Sequence, residues 1–289
     1  MPHQPRSVLV SALLVASALL ATACGTPSGT EDEATSREPT APATSPAPIA
    51  TGPAWTSFKG PLQRCGPQPA SVLEAAFKPT TLRDPAVGRI PAVRLGRGRV
   101  VVVLLHQTDG NALCGWLPFM PAAAEAGLTV LAIDLCRYGE SDCRAVAEES
   151  FTDADQTDPV AVAVQYARTE LRAERVVVAG ASMGGSVALM SAATLPGIDA
   201  AVDLSGPVEW DGMDVVRRGR ALDVPVLVAM ATSEGPEEAT GAQEIVANAP
   251  EGSELLTPDS GHGYVLLNDT DGAVLPLAEE VLRWIKRRS

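Results

Sequence analysis

The stretch Arg175-Val176-Val177-Val178-Ala179-Gly180-Ala181-Ser182-Met183-Gly184-Gly185 decides how this chain folds. Its leading β-branched run reads as a strand buried on both faces. The apolar segment Met183–Leu195, stopped by Pro196-Gly197, reads as the helix that follows. Between them lies Gly-x-Ser-x-Gly. A strand-to-helix turn this sharp strains its central residue and tolerates only small neighbours, here Gly180 and Gly184. It leaves the Ser182 hydroxyl exposed above the sheet edge, at the positive end of a helix. A glycine-rich packing turn is the plainer reading of the same residues.

The surroundings repeat the pattern. Strands are predicted at Arg89–Leu95, Val100–His106, Leu128–Ile133, Arg175–Ala179, Ala200–Leu204, Val224–Met230 and Ser253–Leu256. Several are apolar throughout, as in a parallel sheet covered on both faces. Helices are predicted at Trp116–Ala126, Pro159–Arg172, Met183–Leu195, Pro236–Ala247 and Ala273–Arg287. Asp158 is placed as the N-cap before Pro159, and Val274 on the buried face of the last helix. Strand-helix alternation defines an α/β class, a mostly parallel doubly wound sheet with helices on both faces.

Composition narrows the function. The 289 residues are 46% hydrophobic, enough for a sizeable core, and carry a formal charge of −13. That acid excess argues against nucleic-acid binding, which needs clustered basic charge. The cysteines form no Cys-x-x-Cys or Cys/His cluster, so no zinc site is expected. Asp153-Ala154-Asp155 and Asn268–Gly272 do not match a calcium loop and read as polar loops, with Asp158 and Asp271 as caps. No metal and no cofactor is expected.

In order along the chain, these features resemble the α/β-hydrolase superfamily over roughly residues 65–288. His106-Gln107-Thr108-Asp109-Gly110 stands where the family has its oxyanion loop. Asp134-Leu135-Cys136-Arg137-Tyr138-Gly139-Glu140-Ser141 resembles the family's D-x-R-G-x-G-x-S. Ser182 lies in the nucleophile elbow, Glu234 follows a late strand, and Gly261-His262-Gly263 precedes the last helix. The nearest resemblance is to lid-poor, dienelactone-hydrolase-like or small esterase members, including exported bacterial lipoproteins.

The resemblance implies a Ser182–His262–Glu234 triad. Histidine scarcity supports it independently, since the chain has only His3, His106 and His262. A serine needs a base to act as nucleophile at neutral pH. His106 lies ahead of the serine and reads as a loop-shaping hydrogen-bonder. For the acid, Asp203 is an alternative. Asp259 is expected to point away, and Glu237 and Glu238 are first-turn helix acids. The oxyanion hole is expected to use the N–H groups of Met183 and Thr108. Residues 205–223 are too few for a large helical lid. Trp116, Trp210 and Met213 line the cleft or serve as packing.

The first residues look like a targeting segment. Arg6 precedes an uncharged run, Val8 to Ala23, shorter than the ~20 residues a membrane-spanning helix needs. Residues 1–23 read as a signal peptide. Ala21-Thr22-Ala23-Cys24 fits both ordinary signal-peptidase cleavage and a lipobox that would lipidate Cys24. Residues 24–54 read as a disordered Pro/Thr/Ala-rich tether, leaving 55–289 as the hydrolase domain. Export makes disulfides the expected state of Cys65, Cys114, Cys136 and Cys143, for which three pairings exist. Cys136 and Cys143 flank the Gly139 turn and close a small loop, leaving Cys65 with Cys114.

The expected protein is thus an extracytoplasmic serine hydrolase of small acyl substrates, a cell-membrane lipoprotein or freely secreted. The alternative is a surface lipoprotein that keeps the fold for ligand binding without turnover.

Overall fold

The computed structural model describes residues 55–143 and 152–287. The expected signal segment, Cys24 and the tether to residue 54 lie outside them. Eight main strands, taken in chain order, form one sheet: β1 (Lys78–Asp84), β2 (Gly88–Gly96), β3 (Val100–Leu105), β4 (Thr129–Ile133), β5 (Arg175–Ala181), β6 (Ala200–Leu204), β7 (Val226–Ala229) and β8 (Glu254–Leu256). Across the sheet they run β8-β7-β6-β5-β3-β4-β2-β1, and the short strand Asp142–Cys143 adds to β2. The six from β8 to β4 are mutually parallel, while β2 pairs antiparallel with β4 and β1 antiparallel with β2.

The apolar runs are continuous because each central strand feeds two cores. Val101, Val103 and Leu105 of β3 join one buried cluster, and Val102 and Leu104 join the other. In β5 the same alternation separates Val176 and Val178 from Val177 and Ala179. Two helix layers cover these faces. Helices α2 (Thr157–Thr169), α3 (Met183–Ala192) and α5 (Pro236–Asn248) contribute Val164, Val187 and Ile245 to the first core. Helices α1 (Met120–Glu125) and α6 (Pro276–Arg287) contribute Met120 and Trp284 to the second. The short helix α4 (Val215–Gly219) lies between α3 and α5. Burying one large apolar side chain contributes roughly 1.5–3 kcal/mol, so these two clusters carry the fold.

Several local expectations are corrected. Strand β1 had no apolar run to betray it, because at the sheet edge only Leu82 of its seven residues is buried. The helix expected over Trp116–Ala126 is a 3-10 turn, Ala112–Trp116, followed by α1 from Met120. Pro118 and Pro121 account for the break, since each lacks an N–H and constrains the residue before it. Helix α2 starts at Thr157, and Asp158 lies in its first turn. A 3-10 turn, Asp153–Gln156, leads into it, and the side-chain cap sits at the start of that turn, where Thr152 and Asp155 form a reciprocal capping box. Val274 is 41% exposed and bridges to Asn268, so α6 begins at Pro276. Asp269, not Asp271, accepts the loop N–H groups of Asp271 and Ala273.

Between β6 and β7 there is no large lid. The insertion holds a two-strand hairpin, Glu209–Trp210 with Met213–Asp214, and then α4. Trp210 donates its indole N–H to Asp153 at 2.7 Å and stays 39% exposed. Trp116 and Met213 are buried, which makes them packing residues.

Disulfides join Cys65 to Cys114 and Cys136 to Cys143, the expected pairing. The first closes a separation of 49 residues. In the chain-entropy account such a loop contributes about 4 kcal/mol. Replacing both Cys65 and Cys114 by Ser is expected to lower Tm by roughly 10 °C, as a circular-dichroism melt would show. A Tm within about 2 °C of the parent would mean that the bond does not constrain the unfolded chain as this account requires.

Candidate active site

Strand β5 ends at Ala181, and α3 begins at Met183. Ser182 makes the turn alone, with φ 51° and ψ −125°. A non-glycine residue there is strained by about 1–3 kcal/mol and persists only when its surroundings dictate it. They do. The Ser182 N–H donates to the Leu204 carbonyl at the end of β6, and the Ser182 carbonyl accepts from Gly185 N–H at 2.7 Å. The flanking glycines are required by contact. A Cβ on Gly180 would sit 1.8 Å from the Gly184 carbonyl oxygen, and one on Gly184 2.4 Å from that of Leu105. The serine side chain is partly exposed at the N-terminus of α3. As first residue of that helix, Met183 has an N–H with no acceptor inside the helix.

Glu234 closes a 3-10 turn, Thr232–Glu234, just beyond β7. Its Oε1 lies 2.7 Å from His262 Nδ1. His262 immediately precedes the 3-10 turn Gly263–Leu266, and its side chain is 47% exposed. Thr232 stitches the two loops together. Its N–H donates to the Pro258 carbonyl and its hydroxyl to the Asp259 carbonyl, both at 2.9 Å. This role of Thr232 carried no signal in the sequence. Asp259 itself is exposed, and it is its backbone that the structure uses.

The serine and histidine segments also meet. A Cβ on Gly263, next to His262, would lie 3.4 Å from the Cβ of Ala181, next to Ser182. Among the described residues the His262 ring makes one hydrogen bond, to Glu234, and none to Ser182. With Nδ1 occupied, Nε2 is the nitrogen left to face a reacting hydroxyl.

The other candidate acid is placed elsewhere. Asp203 is buried at the end of β6, and its Oδ1 accepts the Gly206 N–H at 2.6 Å. Burial pushes its carboxyl up to about 7, against the lowering effect of that hydrogen bond.

His106 is fully buried at the end of β3. Its Nε2 accepts the Leu135 N–H at 3.0 Å, so the proton sits on Nδ1, which donates to the Gln107 carbonyl at 2.8 Å. Burial also lowers its pKa, favouring the neutral ring. His106 therefore ties β3 to β4 and shapes the loop that follows. In that loop the Gln107 N–H is taken by the Tyr264 hydroxyl at 3.0 Å, while Thr108 is exposed and makes no hydrogen bond among the described residues.

The loop after β4 is anchored as firmly. Asp134, fully buried, accepts from Arg64 at 2.7 Å and from the N–H groups of Leu113 and Glu140. Arg64 and Leu113 each adjoin a cysteine of the first disulfide. The carboxylate ending β4 thus holds both sides of that crosslink.

A family profile described as alpha/beta hydrolase fold matches residues 100–225. No curated protein sequence matches the chain. Among solved structures, an esterase of Pyrococcus furiosus is similar at 16% identity and a TM-score of 0.62, covering 82% of this chain and 99% of that one. A dienelactone hydrolase from Anabaena variabilis gives 16% identity and 0.57, over 74% and 98% of the two chains. An α/β serine hydrolase without a lid from Xanthomonas campestris gives 19% and 0.55, over 73% and 94%. The chain has the α/β-hydrolase fold, with a mostly parallel central sheet and helices on both faces.

Proposed function

We propose that this protein is a serine hydrolase that cleaves an ester or related acyl bond through Ser182, His262 and Glu234. The observation that carries this reading is the strained Ser182 at the N-terminus of α3, with the His262–Glu234 pair on the neighbouring loop. Ser182 Oγ attacks the acyl carbonyl while His262 Nε2 takes its proton. Glu234 holds Nδ1–H and stabilises the imidazolium that forms. The tetrahedral oxyanion is held by the Met183 N–H and by the Thr108 N–H. His262 then protonates the leaving group, and water repeats the sequence to free the acid.

The esterase and dienelactone hydrolase among the similar structures fit this chemistry, as does a thioesterase domain from a curacin biosynthetic pathway. The short hairpin between β6 and α4 supports an open site for small acyl substrates. The two disulfides support an extracytoplasmic location, in keeping with a signal peptide and either lipidation at Cys24 or free secretion. A fluorophosphonate probe tests the chemistry. Stoichiometric labelling mapped to the peptide holding Ser182 is expected. Intact, unlabelled protein would point to a binding module that has kept the fold.

A further inference from the structure

We propose that Gln107 and Tyr264 form a two-way latch between the oxyanion loop and the histidine loop, and that both are positioning residues for the hydrolysis. This rests on the serine-hydrolase reading above. The latch is reciprocal. The Gln107 N–H donates to the Tyr264 hydroxyl at 3.0 Å, and the Tyr264 N–H donates to Gln107 Oε1 at 3.4 Å. The Tyr264 hydroxyl passes its own proton toward the Ala112 carbonyl at 3.4 Å, further along the same loop.

Each partner is itself fixed. The Gln107 side-chain amine donates to Asp109 Oδ2 at 3.1 Å. A carboxylate can only accept, so the amide must point its oxygen at Tyr264. The Asp109 carboxylate also takes both the N–H and the side-chain amine of Asn111, closing the loop on itself. Tyr264 stands edge-on against Trp116, ring centres 5.1 Å apart, and its ring fills the space beside Gly115. Gly263 makes room for the contact, because at φ +57° a Cβ there would fall 2.1 Å from Gln107 Oε1.

The geometry joins two parts of the site that must act together. Gln107 lies next to Thr108, the proposed oxyanion donor, and Tyr264 lies two residues after His262. Fixing 107 to 264 therefore sets the oxyanion donor and the base on one frame. The latch also occupies the Gln107 N–H, which leaves the next N–H of the loop for substrate. A glycine at 107 could make the backbone half of this latch but not the side-chain half.

The test compares Tyr264→Phe, Gln107→Ala and the double variant with wild type on a short-chain nitrophenyl ester, after checking folding by circular dichroism. Tyr264→Phe keeps the ring packing and removes only the hydroxyl. Losing a whole oxyanion donor costs about 10²–10³ in kcat, so displacing one should cost about tenfold. Each single variant removes one of the two hydrogen bonds and is expected to lose about tenfold in kcat with KM within about twofold, and the double, with neither bond left, to lose more than either single. Should one variant not fold, the other single carries the same expectation. Singles within about twofold of wild-type kcat would overturn the latch, as would losses that appear in KM alone. If wild-type protein neither turns over the ester nor reacts with a fluorophosphonate, the hydrolase reading fails and the latch fails with it.

Discussion

Ser182→Ala is expected to abolish ester hydrolysis while the domain stays folded. The chemistry needs an oxygen nucleophile at the elbow, and losing such a residue commonly costs about 10⁴-fold or more in rate. The fold does not need the hydroxyl. The turn is held by backbone groups, the Ser182 N–H to Leu204 and the Ser182 carbonyl from Gly185, and alanine keeps both. Glycine at the same place should do better still for stability, because φ 51° costs glycine nothing while a Cβ is strained there. Ser182→Gly is therefore expected to be inactive yet more stable than Ser182→Ala by about 1 kcal/mol in urea unfolding. A Ser182→Ala protein that keeps more than about a tenth of wild-type turnover would place the nucleophile elsewhere.

Much of this site was legible because its parts carry strong local signals. A buried valine run, Gly-x-Ser-x-Gly and an apolar helix predict a sharp strand-to-helix turn at Ser182, and the structure has one. Scarcity singled out His262 as the candidate base, since a chain with three histidines leaves few candidates, and the structure sets it against Glu234. The disulfide pairing followed from a short separation, Cys143 standing seven positions after Cys136, and elimination. The sequence was silent where the physics is long-range. Strand β1 is held by its pairing to β2, residue against residue from Lys78–Arg94 to Asp84–Gly88, and buries one side chain. Nothing in its own hydrophobicity marks it. Gln107 and Tyr264 are 157 positions apart, and neither residue type points to a partner at that distance. Thr232 acts through carbonyls of Pro258 and Asp259, and backbone acceptors leave no trace in residue type. The cap expected at Asp158 falls at Thr152 instead: both residues, and Asp155, suit a helix start, and a 3-10 turn over Asp153–Gln156 extends the helical run back to Thr152.

The two carboxyl groups at the sheet edge are expected to separate cleanly on substitution. Glu234→Gln keeps the side chain's shape beside His262 Nδ1 but removes the charge that selects the tautomer and stabilises the imidazolium. Its expected cost is on the order of 10²–10⁴ in kcat, with folding unchanged. Asp203→Asn should leave turnover within a few-fold of wild type, because Asp203 meets Gly206 and not His262. Its effect belongs to stability. With a folded-state pKa of about 7 against an ordinary 3.8, the folded chain keeps a proton that the unfolded chain gives up as pH rises past 4. Stability from this group is then full below about pH 4, falls as pH rises toward 7 and is level above it, a loss on the order of 4 kcal/mol. Asparagine has no such proton to lose and still offers an oxygen to the Gly206 N–H. Asp203→Asn is therefore expected to match wild type near pH 4 and to exceed it at pH 8 in urea unfolding. Kinetics of both variants on a short-chain nitrophenyl ester, beside unfolding at the two pH values, decide the assignment. A crippled Asp203→Asn beside a near-normal Glu234→Gln would transfer the acid to β6 while leaving Ser182 and His262 in their roles. Equal stability gains for Asp203→Asn at both pH values would show that folding does not raise the pKa of its carboxyl.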